Sequence, residues 1–194
     1  MIPLPVIAAC APANVAPQTV AAIIQVESGG DPLVLHINAG PNGILIHPAD
    51  IANALAIIRN SLATGSSVDI GLMQVNTATV GKLGYTLEQM FDPCTNIKAG
   101  AEILSADYSG ALNLAPAGQK ALQAALSAYN TGNYHSGFTN GYVAHYYGAS
   151  ASTSAAPPNP YTADTTVFER TKDHDSFGSE TPIAIPDHWP SQGG

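Results

Sequence analysis

Pro17-Gln18-Thr19-Val20-Ala21-Ala22-Ile23-Ile24-Gln25-Val26-Glu27, followed by Ser28-Gly29-Gly30-Asp31-Pro32, decides how this chain is read. The first eleven residues have helical spacing, with Val20, Ile23 and Ile24 on one apolar face. Glu27 lies seven residues after Val20, four after Ile23 and three after Ile24, so a carboxyl stands where a leucine is expected. Ser-Gly-Gly-Asp-Pro then ends the helix. A carboxyl turned toward the apolar side loses hydration, and its pKa should rise. An acid still protonated near neutrality can serve as a general acid. The plainer alternative is a glutamate at the core edge that reaches out to water or to an amide.

Composition narrows the function classes. The chain has 194 residues, of which 45% are hydrophobic and 10% charged, with a formal net charge of −8. That length suits one domain with a real core and some excess. A negative balance argues against nucleic acid, whose phosphates call for Lys and Arg, and leaves no basic face for anionic lipid. No apolar run approaches the ~20 residues of a transmembrane helix. Ile2 to Ala11 is apolar but short, lacks a basic leader and contains Pro3 and Pro5. It does not read as a signal peptide. A mature chain whose signal has been removed is expected, with a cytosolic chain as the alternative. Cys10 and Cys94 fit no metal or Cys-x-x-Cys spacing. They are two buried thiols or, the favoured reading, a disulfide made in an oxidising compartment. The six histidines have no zinc-like spacing, so neither metal nor cofactor is expected.

The expected fold class is mainly α, with a small β-hairpin in residues 33–47. Further helices are expected over 48–60, 77–83, from Asp92-Pro93 through Leu104, over 117–129 and over 141–147. Thr86 with Gln89 has the spacing of a capping box. After Gly148 the composition turns to Ala, Ser and Pro. Residues 1–148 are therefore read as the folded domain, and 149–194 as a linker and flexible C-terminal tail, disordered or docked on a partner.

Three low-charge polar patches follow Glu27. The first is Asp69-Ile70-Gly71-Leu72-Met73-Gln74-Val75-Asn76, whose glycine permits close approach of a loop. The second is Ser127-Ala128-Tyr129-Asn130-Thr131-Gly132-Asn133. The third is Gly141-Tyr142-Val143-Ala144-His145-Tyr146-Tyr147. Amides and aromatics with few charges suit a carbohydrate cleft, because sugars present hydroxyls and C–H faces.

Taken in order, Glu27-Ser28-Gly29-Gly30, Gly71-Leu72-Met73-Gln74-Val75-Asn76, Ala128-Tyr129-Asn130-Thr131-Gly132 and Tyr142-Val143 resemble the motifs of lysozyme-like lytic transglycosylases. Ser67-Val68-Asp69-Ile70 and the insert from Leu33 to Ser66 look more specifically like the transglycosylases of type IV secretion systems. The resemblance covers about residues 10–147. It implies cleavage of peptidoglycan glycan strands by one glutamate, here Glu27, acting first as acid and then as base. It implies that Ser28 and Tyr142 hydrogen-bond Glu27, that Met73 packs on a sugar face, and that Gln74 and Asn130 bind N-acetyl or peptide groups. Tyr129 would shape the cleft, Gly71 would supply its backbone geometry and Leu72 would be a substrate-binding residue, while Asn76 and Asp69 would be structural. The expected setting is the periplasm, with the tail binding other secretion-system components.

Overall fold

The computed structural model describes residues 2–147. The expected linker and tail, 149–194, lie outside the described residues. Helix α1 is Leu4–Cys10 and α2 is Pro17–Glu27. Proline at the first position of α2 gives up an amide that would have no helical partner anyway. Strands β1 (Leu35–Ile37) and β2 (Ile44–Ile46) form the expected hairpin. Helix α3 follows at Ile51–Ala63, later than the 48–60 expected, because the Asp50 side chain caps it by accepting from the Asn53 N–H at 2.8 Å.

The sheet is larger than the sequence suggests. Val68–Ile70 (β3) pairs antiparallel with β1, and Val75–Asn76 (β4) pairs with β3, giving the order β2-β1-β3-β4. Strands of two or three residues are too short to show a period of two. The register puts Leu45, His36, Asp69 and Asn76 opposite one another in a single row across all four strands. Directly paired residues project to the same face. The flanking row of Ile46, Leu35, Ile70 and Val75 contains three residues with no exposure, Leu35, Ile70 and Val75. One sheet face thus packs on the core, and the other carries the polar row.

Helix α4 spans Thr77–Val80, shorter than the expected 77–83, and Asn76 caps it through the Ala78 N–H. Thr86 and Gln89 make the reciprocal capping-box bonds over a 3₁₀ turn at Gln89–Phe91. Helix α5, Pro93–Ala111, is buried on nearly every side, as befits a helix through the middle of a domain. It packs most extensively on α6, Gln119–Thr131. The short helices α7 (Ser136–Thr139) and α8 (Ala144–Tyr147) complete the described chain. Residues 141–143, expected to be helical, form the turn before α8 instead, with the Tyr142 N–H bonded to Asn140 Oδ1.

Cys10 and Cys94 are disulfide-bonded, with Cα atoms 4.9 Å apart. The bond ties the end of α1 to the first turn of α5. Among the described residues no helix is long and apolar enough to cross a membrane, and no cluster of side chains is arranged to hold a metal.

Candidate active site

Glu27 ends α2, and its half-buried side chain enters a cleft of about 250 Å³. Val26, His36, Leu45, Asp69, Gln74, Asn130, Tyr142 and His145 complete the lining. A wider arm of about 590 Å³ continues past His36, Asn130, Tyr142 and His145 to the hairpin loop. The helix, the sheet's polar row and the segment after α6 therefore meet at one carboxyl.

The Tyr142 hydroxyl donates to Glu27 Oε1. It also lies 2.8 Å from the Tyr146 hydroxyl, and the two rings meet edge to face at 5.4 Å. Burial, and then the nearby charge of Glu27, hold the Tyr142 phenol well above its ordinary pKa, so it remains a donor. Burial raises the Glu27 pKa to about 7; the Tyr142 hydrogen bond lowers it, the charge of Asp69 raises it and that of His36 lowers it. The loss of hydration wins, leaving a large protonated fraction at neutral pH.

Asp69 lines the same cleft but is only 3% exposed and hydrogen-bonded through both oxygens. Its Oδ1 accepts from Asn76 Nδ2 at 2.6 Å, and its Oδ2 accepts from Asn38 Nδ2 at 3.0 Å. His36 Nδ1 stands 3.5 Å from Oδ2, and that contact with Asp69 is the main reason the His36 pKa is raised. Asp31 pairs with His47 at 2.8 Å and is not among the cleft residues.

The Gly71 loop supports the cleft from behind. Asn96 on α5 is buried and donates to the Ile70 and Met90 carbonyls, both at 2.9 Å, while its Oδ1 accepts from the Met73 N–H at 2.8 Å. Tyr129 donates to the Met73 carbonyl at 2.7 Å. The Ser28 hydroxyl lies 2.8 Å from the Leu72 carbonyl and 3.1 Å from that of Ile24, and so joins the end of α2 to this loop rather than to the Glu27 carboxyl. Leu72 and Met73 are 1% and 0% exposed, so both face the core and neither offers a surface to a sugar. Gln74, at φ 48°, directs its Nε2 to the Gly71 and Val34 carbonyls while lining the cleft. Asn130 also lines it, accepting from Asn140 Nδ2 at 2.9 Å.

His36, Leu45 and Asn96 were not among the residues singled out from the sequence, and His145 appeared there only as part of the third patch. Asn96 had a partial signal, an amide three and four residues before Ala99 and Gly100 on the inward side of α5. His36 and Leu45 had none, because their placement depends on strand register.

Gly71 has φ +73°, and a Cβ there would sit 2.7 Å from Asn96 Nδ2, 3.1 Å from the Met90 carbonyl oxygen and 3.2 Å from that of Pro32. Gly71→Ala should therefore destabilise by about 2–4 kcal/mol, combining backbone strain with overpacking. The urea midpoint should fall with an unchanged m-value; a loss below about 0.5 kcal/mol would mean that the loop simply relaxes.

Comparison with known proteins adds to this geometry. Residues 5–149 match the model of the Transglycosylase SLT domain. The chain belongs to this family. Among relatives of the SLT domain, Protein virB1 of Agrobacterium fabrum is 43% identical over 134 residues, covering 69% of this chain and 53% of that protein. Type IV secretion system protein virB1 of Brucella abortus is 40% identical over 140 residues, covering 71% of this chain and 58% of the relative. The chain thus spans about half the length of the curated relatives it matches. No solved structure matches.

Proposed function

We propose that this SLT domain is a lytic transglycosylase that cleaves the bond between N-acetylmuramic acid and N-acetylglucosamine in peptidoglycan. The observation that carries the reading is one carboxyl, Glu27, with its pKa raised to about 7, in a cleft whose other carboxylate, Asp69, is almost inaccessible and hydrogen-bonded through both oxygens. Glycosidases that hydrolyse by the usual route need two working carboxyls. With one, the substrate must bring its own nucleophile. Glu27 donates its proton to the glycosidic oxygen as the C1–O bond breaks. The resulting carboxylate then takes the proton from the muramic acid 6-hydroxyl as O6 bonds to C1. A 1,6-anhydro ring forms, Glu27 regains its proton, and no water is consumed. Tyr142 steadies the carboxylate between the two transfers. Ser28, Leu72, Met73 and Tyr129 would serve this reaction by holding the cleft, and Gln74 and Asn130, which line it, would be the residues that meet the substrate.

The secretion-system names of the relatives support a setting in the periplasm, where the enzyme opens the wall locally for the apparatus. Residues 149–194 are assigned to binding other components of it. A muramidase reading keeps one supporting observation, the presence of Asp69 in the Glu27 cleft. Mass spectrometry of peptidoglycan digests separates the two. Anhydro-muramyl products support the transglycosylase, and products one water heavier replace it with the hydrolase. Intact peptidoglycan that nonetheless binds the protein would leave a wall-binding assembly factor.

The pH profile tests the assignment of Tyr142. A general acid works below its pKa, so the rate should fall as pH rises through about 7. The Tyr142 hydrogen bond lowers that pKa. In Tyr142→Phe the alkaline limb should therefore move to higher pH while the maximal rate drops. An alkaline limb that stays in place would detach Tyr142 from the acid.

A further inference from the structure

We infer that Leu45 is an apolar sugar-binding contact of the Glu27 cleft, receiving the C–H face of an N-acetylated amino-sugar ring. The inference rests on the function proposed above. Leu45 is 60% exposed, a high value for a large apolar side chain, and it lines the same cleft as Glu27 and Tyr142. Met73, the residue expected to meet a sugar face, is fully buried and cannot do so.

The register explains why Leu45 faces the cleft. It is paired directly with His36, and His36 with Asp69, so all three project from one face of the sheet. His36 is fixed in turn. Its Nδ1 is 3.5 Å from Asp69 Oδ2 and its Nε2 is 3.4 Å from the Asn42 carbonyl oxygen. The ring lies so close to Gly43 that a Cβ there would come within 2.2 Å of Nε2, at a φ of +62°. The hairpin therefore holds a polar ring beside an uncovered apolar one-residue platform, next to a general acid. Sugar rings, with polar edges and apolar faces, match that pairing. A bare leucine on an outer strand is otherwise a liability for unwanted pairing.

Ile44 gives the control. It is the next residue, 51% exposed, but it pairs with Ile37 and so projects from the opposite face. The probe is the N-acetylglucosamine tetramer, titrated calorimetrically into Glu27→Gln so that it is not turned over. Adding Leu45→Ala should weaken binding about fivefold, the part of leucine burial that a half-covered side chain can still gain. Adding Ile44→Ala should leave it unchanged. With Glu27 intact, Leu45→Ala should raise KM for peptidoglycan by a similar factor and change kcat less than about twofold. Equal tetramer binding with and without Leu45, or equal losses for Leu45→Ala and Ile44→Ala, overturns the inference. A wild type that binds the tetramer through Leu45 but releases nothing from peptidoglycan would instead overturn the proposed reaction and leave the contact standing.

Discussion

Glu27→Gln should fold normally and release soluble products from peptidoglycan about 10³-fold more slowly, or not measurably. General acid–base assistance is typically worth 10²- to 10⁴-fold, and in the proposed reaction one group supplies both proton transfers. Glutamine keeps the shape and can still accept from Tyr142, so the loss should fall on kcat rather than on binding. Stability should move the other way. Glu27 has a folded pKa of about 7 against an ordinary 4.5. Between those values the unfolded chain has released its proton while the native protein still holds it. The unfolded state thus binds fewer protons, and stability falls as pH rises through this window and stays lowered above it. Glutamine carries no such charge. Glu27→Gln should therefore melt above the wild type at pH 8, by about 1–3 kcal/mol in stability, and match it near pH 4. An inactive variant without that pH-dependent gain would contradict the burial argument. A variant that keeps its activity would remove Glu27 from the chemistry.

Loss of the Cys10–Cys94 bond should lower stability by about 4–5 kcal/mol on the chain-entropy model, because the bond closes a loop holding α2, the sheet, α3 and α4. A domain of this size has only about 5–15 kcal/mol in all. The double variant Cys10→Ala, Cys94→Ala should show this in urea unfolding, and wild type in reductant should behave alike. Helix α1 should loosen first. It has seven residues and buries only Ile7, too little to hold a helix that short unaided. Hydrogen exchange at its amides should rise before the core responds. A change below about 1 kcal/mol would mean that α1 and α5 hold together through packing, and that the loop-closure argument does not apply here. Bonds of this kind persist in oxidising compartments, which agrees with the periplasmic setting proposed for this SLT-domain protein.

The sequence was legible where periodicity was long. Helix α2 has the predicted span, and Glu27 ends it on the face where its spacing puts it. The capping box at Thr86 and Gln89, the hairpin and the cysteine pair were also readable, since each depends on local chemistry or simple arithmetic. Helix starts were less so: Asp50 moved α3 by capping it, and only the folded cap reveals which residue does this. Strands β3 and β4 were missed because three residues cannot display alternation. The site showed the same division. Glu27 and Tyr142 meet, as their motifs imply, across more than a hundred residues. Met73 was expected to face sugar because the resemblance implied it; a loop has no period to tell inside from outside, and Gly100 leaves room for the Met73 side chain in the core. His36 and Leu45 depend on strand pairing, which is a property of the fold.

The row of Leu45, His36, Asp69 and Asn76 also governs where this domain can gain or lose residues. Pleats alternate, so deleting one residue within Leu35–Ile37 would turn His36 inward and bring an isoleucine or leucine beside the acid. The same deletion at the hairpin tip, residues 39–41, leaves the ladder and the Asn42 contact to His36 untouched. Length is thus fixed to the single residue in the strands and free at the tip. That tip borders the wider arm of the cleft. Indels there can enlarge or narrow that arm without touching the residues that line the Glu27 cleft.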